Sequence, residues 1–189
     1  MTTTELSAET RAQILDAALK RVRENGAAAI SVRAIANDAG VSRQLVYFHY
    51  GNRAGLLTAL AAHLDEESGL DAAPDGEEPI IALEQLLRAW CAHLPRILPV
   101  ARALEAAAIT GDEGAAAWTQ RMRRLHSRFG DAIARVELSP GWTIDTATDW
   151  VWARLHPSAY AHLVEGCGWT HAHFTEWSVG SLLSELTEP

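Results

Sequence analysis

Apolar residues recur at three- and four-residue spacing along almost the whole of this 189-residue chain, the mark of helices with one buried stripe. In the first helix, about 7–25, Ile14, Leu15, Ala18 and Val22 share a face, and Thr10 with Gln13 has capping-box spacing. Ser31 N-caps a short second helix that ends at Gly40, and Ser42 N-caps a third that runs to about Tyr50. A fourth follows Gly51-Asn52, with Leu56, Leu57, Leu60 and Leu64 in register. Residues 70–79 (LDAAPDGEEP) are rich in proline, glycine and acids, and read as a loop and a change of module. Beyond them the spacing predicts helices over about 80–93, 96–110, 112–137, 143–165 and 170–187. Their breaks fall at Pro95 with Pro99, at Gly111, at Ser139-Pro140-Gly141 and at Gly166-Cys167-Gly168. Pro157 should kink or interrupt the helix that contains it. No alternating β-branched run suggests a strand, and Asn25-Gly26 suits a helix stop better than a hairpin. The expected fold class is all-α.

Residues 31–53 (SVRAIANDAGVSRQLVYFHYGNR) carry the most specific pattern. Two short helices meet at Ala39-Gly40-Val41-Ser42, where Gly40 supplies the left-handed backbone of a sharp turn. Ala36, one turn earlier, is small enough for the second helix to cross closely, and Ile35, Val41 and Val46 take the shared-core positions of a helix-turn-helix. Arg43, Gln44 and Tyr47 fall on the outer face of the third helix. Arginine donates bidentately to guanine O6/N7, and glutamine matches adenine N6/N7. Tyr47 and His49 can donate to phosphate oxygens, and Ser42 with the helix N-terminus favours a phosphate too. Leu45 suits a thymine methyl, Arg33 can reach the groove or backbone, and Arg53 can clamp a phosphate.

The longer run ILDAALKRVRENGAAAISVRAIANDAGVSRQLVYFHYGNRAGLLTAL contains an IA-x-x-AGVS turn, a Tyr-x-His pair (Tyr47, His49) and an L-x-x-A helix opening. With these features, roughly the first third of the chain resembles the DNA-binding head of the tetracycline-repressor (TetR) family. The resemblance implies a helix-turn-helix domain over residues 1–55 and a ligand-binding and dimerisation domain over 56–189, with a helix at 56–69 connecting them. It implies a homodimer that binds a palindromic double-stranded DNA operator and answers to a small-molecule effector, most simply as a repressor. Arg33, Ser42, Arg43, Gln44, Leu45, Tyr47 and His49 fall on positions that touch DNA, and Arg53 stands where the family usually has a phosphate-binding lysine. Leu45 departs from the small or hydroxylated residues common at its position, so no operator sequence carries over.

The body is read from its own residues. In the 143–165 segment, Ile144, Ala147, Val151, Leu155 and Ser158 line one face, while Trp150, Ala153, Tyr160 and Val164 line another. A helix apolar on two sides needs two packing partners, so this helix and the last one are the expected dimer interface. Its contact residues are Val151, Leu155, Ala159, His162, Phe174, Trp177 and Leu182. Trp90, His93, Leu94, Leu98, Arg102, Trp118, Met122, Trp152 and His156 are the candidates for an effector pocket, combining aromatic walls with a few polar groups.

Charge first argues against nucleic acid, because the chain carries a net −8. Residues 1–53, however, hold seven basic and five acidic groups, a net +2, whereas 54–189 hold nine and nineteen, a net −10. Such asymmetry suits a binding head on an acidic body. The longest uncharged stretch, Ala54 to Leu64, is too short to span a membrane, and no secretion signal is visible, so a cytoplasmic protein is expected. Cys91 and Cys167 are too few for a disulfide framework and lack zinc spacing. His171-x-His173, Glu176 and His162 are the nearest approach to a metal set, yet only His173 and Glu176 have helical ligand spacing. No HExxH, P-loop, dinucleotide turn or nucleophile motif occurs, so no metal, cofactor or catalysis is expected. A helical small-molecule-binding protein with a weakened DNA-reading head is the alternative, supported by Leu45 and the acidic total.

Overall fold

The computed structural model describes residues 7–25, 31–70, 78–109 and 114–187, and every regular element among them is helical, as the spacing predicts. The helices are α1 (Ala8–Asn25), α2 (Val32–Asp38), α3 (Arg43–Tyr50), α4 (Arg53–Glu66), α5 (Pro79–Ile109), α6 (Gly114–Ile133), α7 (Ile144–Leu155), α8 (Pro157–Ala161) and α9 (His171–Thr187). A π-helical turn, His162–Gly166, leads out of α8. No helix among the described residues is long and apolar enough to cross a membrane.

One expected helix break, at Pro95 with Pro99, is absent. Helix α5 runs unbroken through Pro95 and Pro99, where a break was expected. An interior proline costs about 3 kcal/mol, but α5 fully buries Leu83, Leu87, Trp90, Leu94 and Ile97. Each such side chain returns roughly 1.5–3 kcal/mol. The N–H missing at Pro99 is the one that would bond to Pro95, so the two prolines disrupt one stretch of ladder between them. The 143–165 helix, by contrast, is interrupted at Pro157 as expected: it divides at His156, whose extended backbone (φ −62, ψ 143) is what a following proline demands. Pro157 then opens α8, and the His156 side chain caps it by accepting from the Ser158 amide. The expected break at Gly111 and most of the loop at 70–79 lie outside the described residues.

The chain forms two compact units, one of residues 1–64 with 99–119 and the other of 65–98 with 120–189. In the first, Ile14, Leu15, Ala18, Ile35, Ala36 and Val46 close the core of the N-terminal helices, and Leu56, Leu57, Leu60 and Leu64 line α4. In the second, Trp90, Phe129, Val151, Leu155, Phe174 and Leu182 are fully buried, and the Trp90 indole N–H donates to the Leu155 carbonyl at 2.8 Å.

Burial corrects part of the expected dimer face. Val151, Leu155, Phe174 and Leu182 are enclosed within the chain itself, so their apolar stripe is satisfied without a second subunit. Tyr160, placed on the same face as Trp150, is buried and meets Phe174 edge-on at 4.9 Å. Ile144, placed on the same face as Val151 and Leu155, is 46% exposed, as are Trp150 at 38% and Trp177 at 47%. His162 is exposed and Ala159 half-buried.

Candidate nucleic-acid interface

Hydrogen bonds set the angle between α2 and α3. Ser31 accepts from the Ala34 amide at 3.1 Å and Ser42 from the Leu45 amide at 3.1 Å, so a hydroxyl starts each helix. Between them Gly40 takes φ 67, and the Val41 amide returns to the Ala36 carbonyl at 2.9 Å. That left-handed residue turns the chain within three positions and would strain any side chain bearing a Cβ. Arg21 of α1 grips Asp38 at the end of α2 through two bonds, one of 2.9 Å, and its guanidinium holds the Asp38 carboxyl below the usual carboxylate range.

Helix α3 then presents its outer side to solvent. At ~100° per residue, Arg43, Gln44, Tyr47 and Phe48 fall on one face, and all four are exposed, Tyr47 at 52% and Phe48 at 67%. Val46 points the other way and is fully buried. Arg33 on α2 and Ser42 are also exposed. Leu45, His49 and Arg53 are only half-exposed. His49 sits almost opposite the outer face, its Nε2 enclosed without a hydrogen-bond partner and its ring 4.9 Å from Phe48. Phe48 is the residue that motif reasoning missed. Its signal was an aromatic one position beyond Tyr47, on the same face and with no apolar partner in sight.

Where α3 gives way to α4, Gly51 closes one helix at φ 71 and Asn52 caps the other by accepting from the Gly55 amide at 2.8 Å. A Cβ on Gly55 would lie 2.0 Å from the Tyr50 carbonyl oxygen. Backbone cannot swing aside as a flexible side chain can, so Gly55→Ala forces α3 and α4 apart. The helix-propensity gain of about 1 kcal/mol is outweighed by an overpacking cost on the order of 1–3 kcal/mol. A lower denaturant midpoint is expected for Gly55→Ala. An unchanged midpoint in a urea titration would show that the close approach is relaxed in solution.

The pocket candidates separate. Arg102 and Trp118 belong to the first compact unit, the former exposed and the latter buried. In the second unit, Leu94, Leu98 and Met122 are buried, while Trp152 and His156 are half-buried with rings 5.1 Å apart. Trp90 does line a cavity, of about 200 Å³, with Leu70 and Leu125 as the other apolar walls and Asp65, Arg121, Arg124 and Arg128 as the charged ones. His93 is 2% exposed and stands behind that wall, its Nε2 3.1 Å from the Asp65 carboxylate. Asp65 also accepts from Arg121 Nε at 2.6 Å, and the Arg121 guanidinium lies 5.8 Å from the Trp90 ring centroid. Burial works against ionised Asp65, but the bonds from His93 and Arg121 more than offset it and hold the carboxyl below its ordinary value. The arginines went unnoticed in the sequence, although 121, 124 and 128 share one face of α6 by helical spacing.

Glu176 is held by Arg88 through bonds of 2.7 and 3.2 Å and faces away from metal chemistry. His173 packs on Trp169 at 4.4 Å, and His171 on Tyr160 at 5.9 Å. Among the described residues no three His, Cys, Asp or Glu side chains converge.

Comparison with known proteins matches this geometry to a family. Residues 14–60 match the bacterial regulatory proteins of the tetR family. The HTH-type transcriptional regulator TtgR of Pseudomonas putida is 42% identical over 64 residues, a segment covering 34% of this chain and 30% of TtgR. BetI of Brucella anthropi is 34% identical over 61 residues, covering 32% of this chain and 31% of BetI. These curated relatives are thus matched over less than a third of their own length. Along the whole chain the likeness is one of fold. A TetR-family structure from Rhodococcus sp. superposes with TM-score 0.73 at 20% identity, covering 93% of this chain and 97% of that one. NalD of Pseudomonas aeruginosa, described as the secondary repressor of the MexAB-OprM multidrug efflux pump, gives TM-score 0.70 at 23% identity, covering 96% and 99%. Residues 14–60 thus carry the helix-turn-helix of the tetR family, and along nearly its whole length the chain has the fold of TetR-family structures.

Proposed function

We propose that the chain is a sequence-specific DNA-binding transcriptional regulator that acts as a homodimer on a palindromic operator and yields it in response to a small-molecule effector, most simply as a repressor. The observation that supports this best is the exposed face of α3, Arg43, Gln44, Tyr47 and Phe48, on a helix fixed by the Ser42 cap and the Gly40 turn. Arg43 and Gln44 at the helix N-terminus have the chemistry to read base edges. Tyr47, Arg33, Ser42 and Arg53 suit the phosphates, and His49 offers them Nδ1 because its Nε2 is enclosed. Leu45 and Phe48 suit thymine methyls. Purified protein should retard a fragment from upstream of its own gene, with affinity falling steeply as salt rises. Retardation of that fragment no better than of unrelated DNA would refute the reading.

Pairing has a physical motive, since two heads about 34–36 Å apart read two half-sites where one short helix reads only a few base pairs. The acidic remainder, at −10, disfavours any approach to DNA other than through the heads. For the interface, the exposed aromatics of α7 and α9 are better suited than their buried neighbours. Trp142 and Trp150 lie 6.4 Å apart, Trp177 and Trp169 5.5 Å, and the Arg154 guanidinium sits 5.2 Å from Trp150 and 4.8 Å from Trp177. Tryptophan and arginine are the residues that dominate binding at interfaces. Trp177→Glu should therefore weaken self-association by roughly thirtyfold or more, a loss of ~2 kcal/mol per hot-spot residue. Sedimentation velocity reads this directly. A dimer of undiminished stability would place the interface elsewhere. An effector would act by favouring a conformer whose heads are wrongly spaced for the operator, to the extent of its differential affinity for the two conformers.

A further inference from the structure

We propose that Phe48 reads the C5-methyl group of a pyrimidine in the major groove, one thymine methyl in each half-site, and that it takes the methyl of 5-methylcytosine in the same place. The inference deepens the DNA-reading proposal and rests on it. It assigns one position of α3 to one chemical group and makes operator binding answer to cytosine methylation.

A single exposed aromatic means little by itself. Phe48 is set apart by where it stands. At 67% it is the most exposed of the large apolar side chains among the described residues. At ~100° per residue it lies about 40° round α3 from Gln44 and four residues further on, so the two share a stripe of the face that also holds Arg43 and Tyr47. Four residues advance about 6 Å along the axis, close to two base-pair steps of ~3.4 Å each. A helix that sets Gln44 against one base edge therefore brings Phe48 to the edge of a nearby pair. The ring has support for such a contact, because it meets the His49 ring edge-on, with centroids 4.9 Å apart and planes at 88°. His49 is itself half-buried, with Nε2 enclosed. A backed aromatic ring loses little freedom on binding. Leu45, the other apolar candidate on α3, is half-buried and stands about 60° beyond Phe48, away from Arg43.

The major groove displays hydrogen-bond donors, acceptors and one apolar group, the thymine methyl. A phenyl ring has neither donor nor acceptor, so the methyl is the one group there that it can recognise. By the same chemistry it cannot tell thymine O4 from the cytosine amino group. A methyl on C5 of cytosine presents the same apolar group at the same place. The expected order at this position is therefore a methylated pyrimidine above its unmethylated counterpart, whichever base carries the methyl.

Fluorescence anisotropy with the full chain and the fragment it retards tests this. Thymines are replaced by deoxyuracil one symmetric pair at a time, which removes the methyl and nothing else. At one pair of positions binding should weaken by about fourfold per half-site, or about fifteenfold for both, the scale of one buried methyl. Phe48→Ala should shrink that loss to under about twofold, the limit of ordinary additivity. Phe48→Leu should retain most of it, and Leu45→Ala should leave it as in the wild type. At the same positions 5-methylcytosine should bind about fourfold per half-site more tightly than cytosine, and Phe48→Ala should erase that gain. Phe48 is exposed, so its variants should melt as the wild type does, which the same samples check. A chain that retards no fragment specifically overturns the DNA-reading proposal and this inference with it. Specific retardation with no uracil-sensitive position that depends on Phe48, or with no gain from methylating cytosine there, overturns this inference alone.

Discussion

Replacing Arg43 and Tyr47 together by alanine is expected to reduce operator affinity to the nonspecific level while leaving the fold intact. Both side chains stand on the exposed face of α3, and neither contributes to the core that Val46 closes. Surface substitutions of this kind usually move stability by no more than about 0.5 kcal/mol. A bidentate arginine–guanine contact discriminates by about 1–3 kcal/mol, and a tyrosine donating to a phosphate is worth about 1.5–3 kcal/mol. Two heads lose both contacts. That loss is comparable to the ~4–10 kcal/mol that separates specific from nonspecific binding. Fluorescence anisotropy on labelled DNA measures the affinity, and a melting curve on the same sample checks the fold. Retained specific binding in a folded double variant would mean that some other surface reads the DNA.

Trp90→Ala is the substitution expected to damage the second unit most. The indole is completely buried, and its N–H satisfies the Leu155 carbonyl where α7 ends beside Pro157. Truncating a buried tryptophan costs about 3–5 kcal/mol, and stranding the carbonyl adds about 1–3 kcal/mol. Against a typical total of ~5–15 kcal/mol, this is a large fraction of the stability available. Urea titration should show a much lower midpoint or a chain already largely unfolded. Trp90→Phe keeps most of the apolar volume and loses the donor, so it should sit between the two. Near-wild-type stability of Trp90→Ala would contradict the packing of α5 against the end of α7.

How far the sequence could be read depended on whether each feature is local. The helix-turn-helix is local: Ser31, Gly40 and Ser42 act on backbone within three residues of themselves, and Ile35 and Val46 need only each other's helices. Its location and its outer face were therefore visible from spacing alone. The course of α5 through Pro95 and Pro99 was not visible, because the local cost of a proline is offset by burial along the rest of a 31-residue helix. Four of the interface candidates proved to be buried for a related reason. Periodicity identifies an apolar stripe but not what covers it, and Val151, Leu155, Phe174 and Leu182 are covered by their own chain. Trp150 and Trp177 are exposed in spite of being the more apolar choice by size. The cavity depends on tertiary assembly most of all, since Asp65, Trp90 and Arg121 come from three separate helices. Of these, only the arginine face of α6 left a trace in the spacing.

If α3 reads base sequence in duplicate, selection from a randomised DNA library shows it most directly. The wild-type chain should enrich a palindrome with half-sites about one helical turn apart. Arg43→Ala should lose preference at one base pair in each half-site while the rest of the palindrome persists. Enrichment of no sequence, or of the same full palindrome by both proteins, would contradict it.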